Sequence, residues 1–235
     1  MVVVSRLGGG ERLVTGMPGG KRTDCISERD LQVLGFIVRY GVVSREAVAI
    51  WAGTGRAVTA ARERRLREAG LVEVRRGLGE GARLVLATRD GLRALGRRDL
   101  RVPAFSLPAL RHECAVAELA ARLERLGAET MSEREILARE RVEGERLYSA
   151  QLAGGRAHRA DLVCSMGVGA PQAVEVELVA KAAGRLDELL RAWRRAAGEG
   201  RLSRIVYHCH PRVGDVVRRA VERTGTAAVI RVEEL

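Results

Sequence analysis

The sequence predicts an α/β protein built from a small basic helical domain and a larger domain of alternating strands and helices. Two observations support this prediction. Residues 27–98 contain fifteen basic and eight acidic residues, whereas residues 99–235 contain twenty-two and twenty, so the excess positive charge is concentrated in one segment. The apolar spacing also changes, from mainly helical in the first segment to strand and helix periods in the second. A chain of 235 residues has room for two such domains.

The composition narrows the functional class. A formal net charge of +11 and a pI near 10.7 favour an anionic partner. No run of about 18 apolar residues is present, and the glycine-broken N-terminus is unlike a signal peptide, so no transmembrane helix is expected. Of the two anionic partners that the charge allows, nucleic acid and an acidic membrane surface, we expect nucleic acid and no membrane partner. The four cysteines are widely spaced and form no CxxC pair, which argues against a zinc ribbon and favours reduced thiols in a cytoplasmic protein.

The first segment predicts three helices after a glycine-rich, basic and flexible arm at residues 1–26. Ser27 is an N-cap candidate for a helix that ends at Gly41. Ser44 caps a second, short helix. The third helix is predicted to begin at Arg56 and to stop at Gly70.

Two short strands, 71–76 and 83–87, follow these helices around a glycine-rich tip at residues 77–81, before a last helix at 88–98. Three helices followed by a glycine-tipped hairpin are typical of a winged helix-turn-helix, which we predict for residues 27–98.

The predicted winged helix makes double-stranded DNA the expected partner, with its arginine-rich third helix in the major groove. Paired half-sites would require a homodimer. The alternative is a winged helix that contacts proteins, with its arginines only solvating helix faces. The predicted DNA-binding residues are Thr54, Arg56, Thr59, Arg62, Arg64, Arg65, Arg75, Arg76 and Arg83.

A proline-containing linker at 99–108 leads to the second domain, predicted for residues 109–235. The predicted order is α-β-β-β-α-β-α-β, with turns and a hairpin in the charged stretch 140–158. Its helices and strands are predicted at 109–126, 129–136, 159–164, 173–179, 182–197, 204–208, 212–223 and 227–232.

Acidic residues on two neighbouring strands form the candidate catalytic site of this domain. The two-residue period of a strand places Glu175 and Glu177 on one face, and a hairpin would bring Asp161 beside them. Buried carboxylates are costly unless they are paired or bound to metal. A hard divalent cation prefers such oxygen ligands, and Glu113 is a further candidate ligand, with Glu133 a weaker one.

The stretches HRADLV and AVEVELVAKAAGRLDELLRAW resemble the core of PD-(D/E)xK nucleases. Together with the upstream winged helix, residues 27–235 resemble the replication-relaxation family of bacterial plasmids and mobile elements. The resemblance implies a restriction-endonuclease-like α/β domain with a central mixed sheet. It also implies a role in plasmid replication or transfer, with Asp161 and Glu175 as metal ligands.

The sequence departs from the nuclease motif at two positions. Ala160 replaces the usual proline, and Glu177 occupies the position of the motif lysine. Lys181, one of only two lysines in the chain, is a candidate replacement for the missing positive charge. The candidate catalytic residues are therefore Asp161, Glu175, Glu177 and Lys181, with Mg²⁺ as cofactor only if the site is active.

Three functional hypotheses follow. The first is a sequence-specific DNA-binding protein of a mobile element, acting in replication, transfer or transcription control. Its second domain would serve dimerisation or scaffolding, with arginines such as Arg159, Arg185 or Arg191 neutralising the carboxylates. The second is a Mg²⁺-dependent endonuclease targeted by the winged helix. The third is a protein-interaction module that recruits a replication or transfer partner.

Overall fold

The computed structural model describes residues 26–77, 82–104 and 106–235. These residues form two compact units, which divide between positions 105 and 106. The predicted arm, except for its last residue, and most of the predicted glycine-rich tip lie outside the described residues. Helices and strands are mixed in both units, which confirms the α/β class. Within the described ranges, no helix combines the length and apolar character needed to cross a membrane.

The described part of the N-terminal unit contains four helices and three short strands. In chain order these are α1 (Glu28–Tyr40), β1 (Val42–Ser44), α2 (Arg45–Ala52), α3 (Arg56–Glu68), β2 (Val72–Arg76), β3 (Arg83–Ala87) and α4 (Arg89–Ala94). The strands form an antiparallel sheet in the order β1-β3-β2. At the start of α1, the Ser27 hydroxyl accepts from the Asp30 N–H while the Asp30 carboxylate accepts from the Ser27 N–H.

Two elements of this unit differ from the prediction. Strand β1 was not predicted, because three residues are too few to show a strand period. The helix predicted at 88–98 ends at Ala94, after which the chain turns back and the Arg97 N–H donates to the Leu92 carbonyl. A β-carbon added to Gly91 in α4 would lie 2.2 Å from the Leu71 carbonyl oxygen, so this contact with the chain before β2 requires glycine.

The C-terminal unit is organised around a five-stranded mixed sheet. Its elements are α5 (Leu107–Arg125), β4 (Glu129–Ser132), α6 (Glu133–Glu143), β5 (Ser149–Gln151), β6 (Ala157–Arg159), β7 (Leu162–Ser165), β8 (Gln172–Glu177), α7 (Ala183–Gly198), β9 (Arg204–Cys209), α8 (Pro211–Thr224) and β10 (Ile230–Glu234). The strand order is β10-β9-β8-β7-β4. Strands β8, β9 and β10 are parallel, and β7 is antiparallel to both its neighbours. Strands β5 and β6 form a separate antiparallel hairpin.

Helices cover both faces of the central sheet. Val163, Ala173 and Tyr207 lie in the core that packs against α7 and α8. Val174, which has the opposite orientation on β8, is buried on the face where α5 contacts β4, β7 and β8. Side chains on the first face therefore point between the sheet and α7.

Several predicted boundaries in this unit are wrong for local reasons. Residues 133–143 form α6 instead of a strand followed by turns, because Ser132 and Glu135 make a capping box. The strand predicted at 159–164 is split, since Arg159 ends β6 and Leu162 begins β7. Helix α5 begins inside the predicted linker, with a proline in its first turn, where proline is favoured. The last strand begins at Ile230 rather than at 227.

Candidate functional site

Helix α3 is held against α1 by a buried carboxylate. The Asp30 side chain is completely buried, and its oxygens accept hydrogen bonds from Arg62 at 3.0 Å and from Arg65 at 2.8 and 3.0 Å. Burial alone would raise the pKa of Asp30, but hydrogen bonds from Arg65, Ser27 and Arg62 outweigh it and hold the pKa at about 2. Two of the predicted DNA-binding arginines therefore fix the position of α3.

A second ion pair fixes α3 against α2. The Arg45 guanidinium donates two hydrogen bonds to the nearly buried Glu63 carboxylate, at 2.6 and 2.8 Å. Thr59, another predicted DNA-binding residue, is 1% exposed. Its hydroxyl donates to the Gly55 carbonyl at 3.1 Å and lies 3.0 Å from the Thr54 hydroxyl. The start and middle of α3 are thus anchored from within the unit.

Other arginines of α3 are directed to solvent. Arg56 is 85% exposed, and its ion pair among the described residues is a long one, 3.9 Å from Glu46. Arg64 and Arg67 are exposed, and Val58 near the start of the helix is 47% exposed. The outer surface of α3 therefore combines three guanidinium groups with an apolar side chain.

The β2–β3 hairpin adds two exposed arginines. Arg76 and Arg83 are direct cross-strand partners at the last register position of the hairpin. Like charges directly opposite each other on a sheet repel, and an anion placed between them would relieve this repulsion. Arg75, in contrast, binds Glu73 on its own strand at 2.7 Å.

The acidic residues Asp161, Glu175 and Glu177, which we call the carboxylate centre, lie where β7 and β8 separate. Their register ends at the Leu162–Val174 pair, and Asp161 immediately precedes β7. The Asp161 Oδ2 atom accepts from the Val176 N–H at 2.7 Å and lies 3.1 Å from His112 Nε2. The same His112 nitrogen lies 3.2 Å from the Val176 carbonyl, so it carries a proton shared between two acceptors. The hydrogen bond with Asp161 is the largest cause of the raised pKa of His112.

Glu175 is the most deeply buried member of the centre. It is 1% exposed, and its Oε2 lies 2.9 Å from His158 Nε2. Its Oε1 is buried and has no hydrogen-bond partner among the described residues. Burial, reinforced by the charge of Asp161, raises the pKa of Glu175 to about 7 against the opposing effect of His158. Burial lowers the pKa of His158, but the contacts with Glu175 and Asp161 raise it overall.

Glu177 and Lys181 form an ion pair at the end of β8. Glu177 is 4% exposed, and it lies on the same sheet face as Glu175, as the strand period predicted. Burial lowers the pKa of Lys181, and the charges of Glu175 and Asp161 oppose that effect. Lys181 therefore lies within electrostatic range of the other three predicted catalytic residues, Asp161, Glu175 and Glu177.

Two further predicted or considered ligands lie at the edge of this centre. The Glu113 Oε2 atom is buried without a hydrogen-bond partner in the described chain, and burial raises the pKa of its carboxyl group. The pKa of Glu133 is raised by desolvation and then by the charge of Asp161. Across the described ranges, no three His, Cys, Asp or Glu side chains are arranged to hold a metal ion.

The expected neutralising arginines are engaged elsewhere, so that part of the scaffold hypothesis is wrong. Arg159 binds Glu140, whereas Arg185 and Arg191 pair with acidic residues of their own helix, α7. Histidines were not predicted to take this role. His112 lies on α5, 49 positions before Asp161, and a contact between residues so far apart leaves no pattern in the sequence. His158 stands within the quoted HRADLV stretch, so it was the one detectable candidate.

No protein-family model matches the chain, and no curated protein matches it. The biochemical assignments therefore rest on the geometry of the two sites.

Proposed function

We propose that the N-terminal unit binds double-stranded DNA through α3 and the β2–β3 hairpin. The protein would act in replication, transfer or transcription control of a mobile element, a setting supported by its resemblance to the replication-relaxation family. The observation that carries the DNA-binding proposal is the division of the α3 arginines. Arg62 and Arg65 hold the helix, whereas Arg64 and its exposed neighbours face solvent.

The arrangement of the unit supports a winged helix. Three helices precede a two-stranded antiparallel hairpin, and α3 has the position of a recognition helix in that order. The ion pairs of Asp30 and Glu63 hold α3 in place before any ligand arrives, which reduces the ordering cost of binding. The exposed Val58 offers an apolar contact for a thymine methyl group. Arg76 and Arg83 would straddle a backbone phosphate.

The test is the salt dependence of duplex binding by the full chain. Replacing Arg64 and Arg67 together with alanine should weaken binding to a mixed-sequence duplex of about three helical turns. We expect a loss of about tenfold or more and a fall of about two in the slope of log K against log salt. Fluorescence anisotropy measures both quantities.

A matched control removes two exposed arginines from the C-terminal unit, Arg122 and Arg125 of α5, and should leave the slope almost unchanged. Equal affinity and slope for the α3 variant and the wild type would refute the assignment of α3. A selected palindromic duplex should bind two copies of the chain, as expected for a homodimer on paired half-sites.

For the C-terminal unit, we propose a restriction-endonuclease-like scaffold that serves dimerisation. The sheet order and the position of the acidic residues at the parting strands support this fold. Each carboxylate of the centre has a basic partner in the same chain. Asp161 pairs with His112, Glu175 with His158 and Glu177 with Lys181. Such pairing supports the carboxylates without a metal.

One observation favours metal-dependent DNA cleavage as a second candidate. The Glu175 Oε1 atom is buried without a partner in the described chain, so it is available as an oxygen ligand. Asp161 and Glu175 fit Mg²⁺, which binds proteins through one or two carboxylates and retains several waters. When bound, the ion would activate water and stabilise the leaving oxygen of a phosphodiester. Lys181 would hold positive charge beside the site, and His112 would orient the Asp161 carboxylate.

Plasmid nicking distinguishes these two candidates. The full chain is incubated with supercoiled plasmid and Mg²⁺ or Mn²⁺, alongside Asp161→Asn, Glu175→Gln and the control Glu199→Gln, which alters an exposed residue of the same unit. If the site cleaves DNA, the wild type and the control should nick the plasmid, and nicking by both site variants should fall to background. Absence of wild-type nicking, or equal nicking by all variants, would exclude the catalytic candidate.

A further inference from the structure

A concave surface lies at the end of the N-terminal unit. It encloses a volume of about 500 Å³ and is formed by α4 and the chain that follows it. Its lining residues are Arg89, Leu92, Arg93, Arg97, Arg98, Leu100, Arg101 and Val102. We call this surface the arginine concavity.

The arginine concavity is strongly positive. Residues 89–102 contain five arginines and two aspartates, a net charge of +3. Arg97 binds Asp99 at 2.9 Å, whereas the Arg93–Asp90 pair is longer, at 3.4 Å, and both of its side chains are more than half exposed. The side chains of Arg89 and Arg98 are exposed and have no ion-pair partner among the described residues.

The apolar residues of the concavity give it a fixed shape. Leu92 and Leu100 are 5% and 6% exposed, so they form a packed floor beneath the guanidinium groups. The backbone is pinned at the turn, because the Arg97 N–H donates to the Leu92 carbonyl and the Leu100 N–H donates to the Arg97 carbonyl. The close approach of Gly91 to Leu71 seats α4 itself. The arginines therefore extend from a rigid wall.

We propose that the arginine concavity is a second contact surface for the phosphate backbone of the duplex. This inference rests on the proposed DNA binding and extends it beyond α3 and the hairpin. Guanidinium groups match phosphate oxygens with paired hydrogen bonds. Four of the five arginines that line the concavity are solvent-exposed, which suits successive phosphates of a strand better than one enclosed ligand. The concavity would add affinity without sequence preference.

The experiment replaces Arg93 and Arg98 together with alanine in the full chain. We expect duplex affinity to fall several-fold and the salt slope to decrease by about two, with equal losses on unrelated sequences. Combination with the Arg64 and Arg67 replacements should multiply the two affinity losses, because the two surfaces are separate. The double lysine variant at positions 93 and 98 should retain most of the slope. An unchanged thermal unfolding midpoint, expected for exposed side chains, shows that the fold is intact.

Two outcomes would overturn the inference without affecting the α3 assignment. The first is unchanged duplex affinity and slope in the concavity variant while the α3 variant shows its loss. The second is that the wild type binds inorganic pyrophosphate or polyglutamate directly and the concavity variant loses this binding, while both chains bind the duplex equally well. Pyrophosphate binding would indicate a small phosphate ligand, and polyglutamate binding would indicate an acidic protein partner. Conversely, a loss of duplex affinity in the concavity variant but not in the α3 variant would refute the assignment of α3 and support this surface.

Discussion

Replacing Asp30 with alanine should lower the unfolding free energy of the N-terminal unit by about 3 kcal/mol, the cost typical of breaking a buried ion pair from one side. The change leaves Arg62 and Arg65 without their shared acceptor and removes half of the capping box at Ser27. Arg62 is only 17% exposed, so water replaces the lost carboxylate poorly.

Denaturant unfolding followed by tryptophan fluorescence measures this loss. Each unit has one tryptophan, Trp51 or Trp193, so a Trp193→Phe background reports the N-terminal unit alone. The control Glu73→Ala breaks an exposed ion pair with Arg75 and should cost little stability, because solvent screens such pairs. Similar losses in both variants would show that Asp30 has no special role in holding α3.

Acid titration gives an independent test of the same ion pairs. The folded-state pKa of Asp30, about 2, lies below its ordinary value of 3.8. Its contribution is therefore present above about pH 4 and is lost as the pH falls towards 2, where the folded carboxylate is protonated. The wild-type N-terminal unit should lose this stability over that interval, whereas the Asp30→Ala variant should lack this component of the loss.

Replacing Glu175 with glutamine should raise the unfolding free energy of the C-terminal unit by about 3 kcal/mol near pH 8 and change it little near pH 5. The pKa of Glu175 rises from 4.5 to about 7 on folding. The protonated carboxyl group therefore stabilises the fold below about pH 4.5, and this contribution disappears as the pH rises through 7. Glutamine keeps the shape and carries no charge at either pH.

His158 and Glu175 share one hydrogen bond, so removing the charge of Glu175 also removes a contact that raises the pKa of His158. The variant should therefore lose the part of the pH dependence that depends on Glu175 and retain the part that comes from the other groups with a raised pKa, His112, Glu113 and Glu133. Unfolding curves in a Trp51→Phe background with a chelator present measure the effect, and Glu199→Gln serves as the exposed control. Equal stability of the variant and the wild type near pH 8 would contradict the assignment of a buried, charge-sensitive Glu175.

The sequence predicted those features that depend on local patterns. The cap of α1 at Ser27, the end of α1 at Gly41 and the β2–β3 pairing all follow from neighbouring residues. The two-residue period likewise placed Glu175 and Glu177 on one face of β8. These features follow from short-range geometry, which a single sequence records.

Contacts between distant residues were not predictable in the same way. Asp30 lies 32 positions before Arg62, and the helical pattern of α3 gave no sign that two of its arginines turn inward. The strand predicted through Ile136 failed because a capping box begins helix α6 there. The pairing of Asp161 with His112 required the fold to bring α5 to the start of β7.

One hydrogen bond in the central sheet links a backbone amide group to a charged side chain of the carboxylate centre. The Val176 N–H, in the interior of β8, donates to the Asp161 carboxylate rather than to a neighbouring strand. The chemical shift and exchange rate of this single amide proton consequently depend on the charge state of Asp161. A backbone nucleus can thus act as an internal spectroscopic gauge of the carboxylate centre, and it can report ion binding there without a change of any side chain.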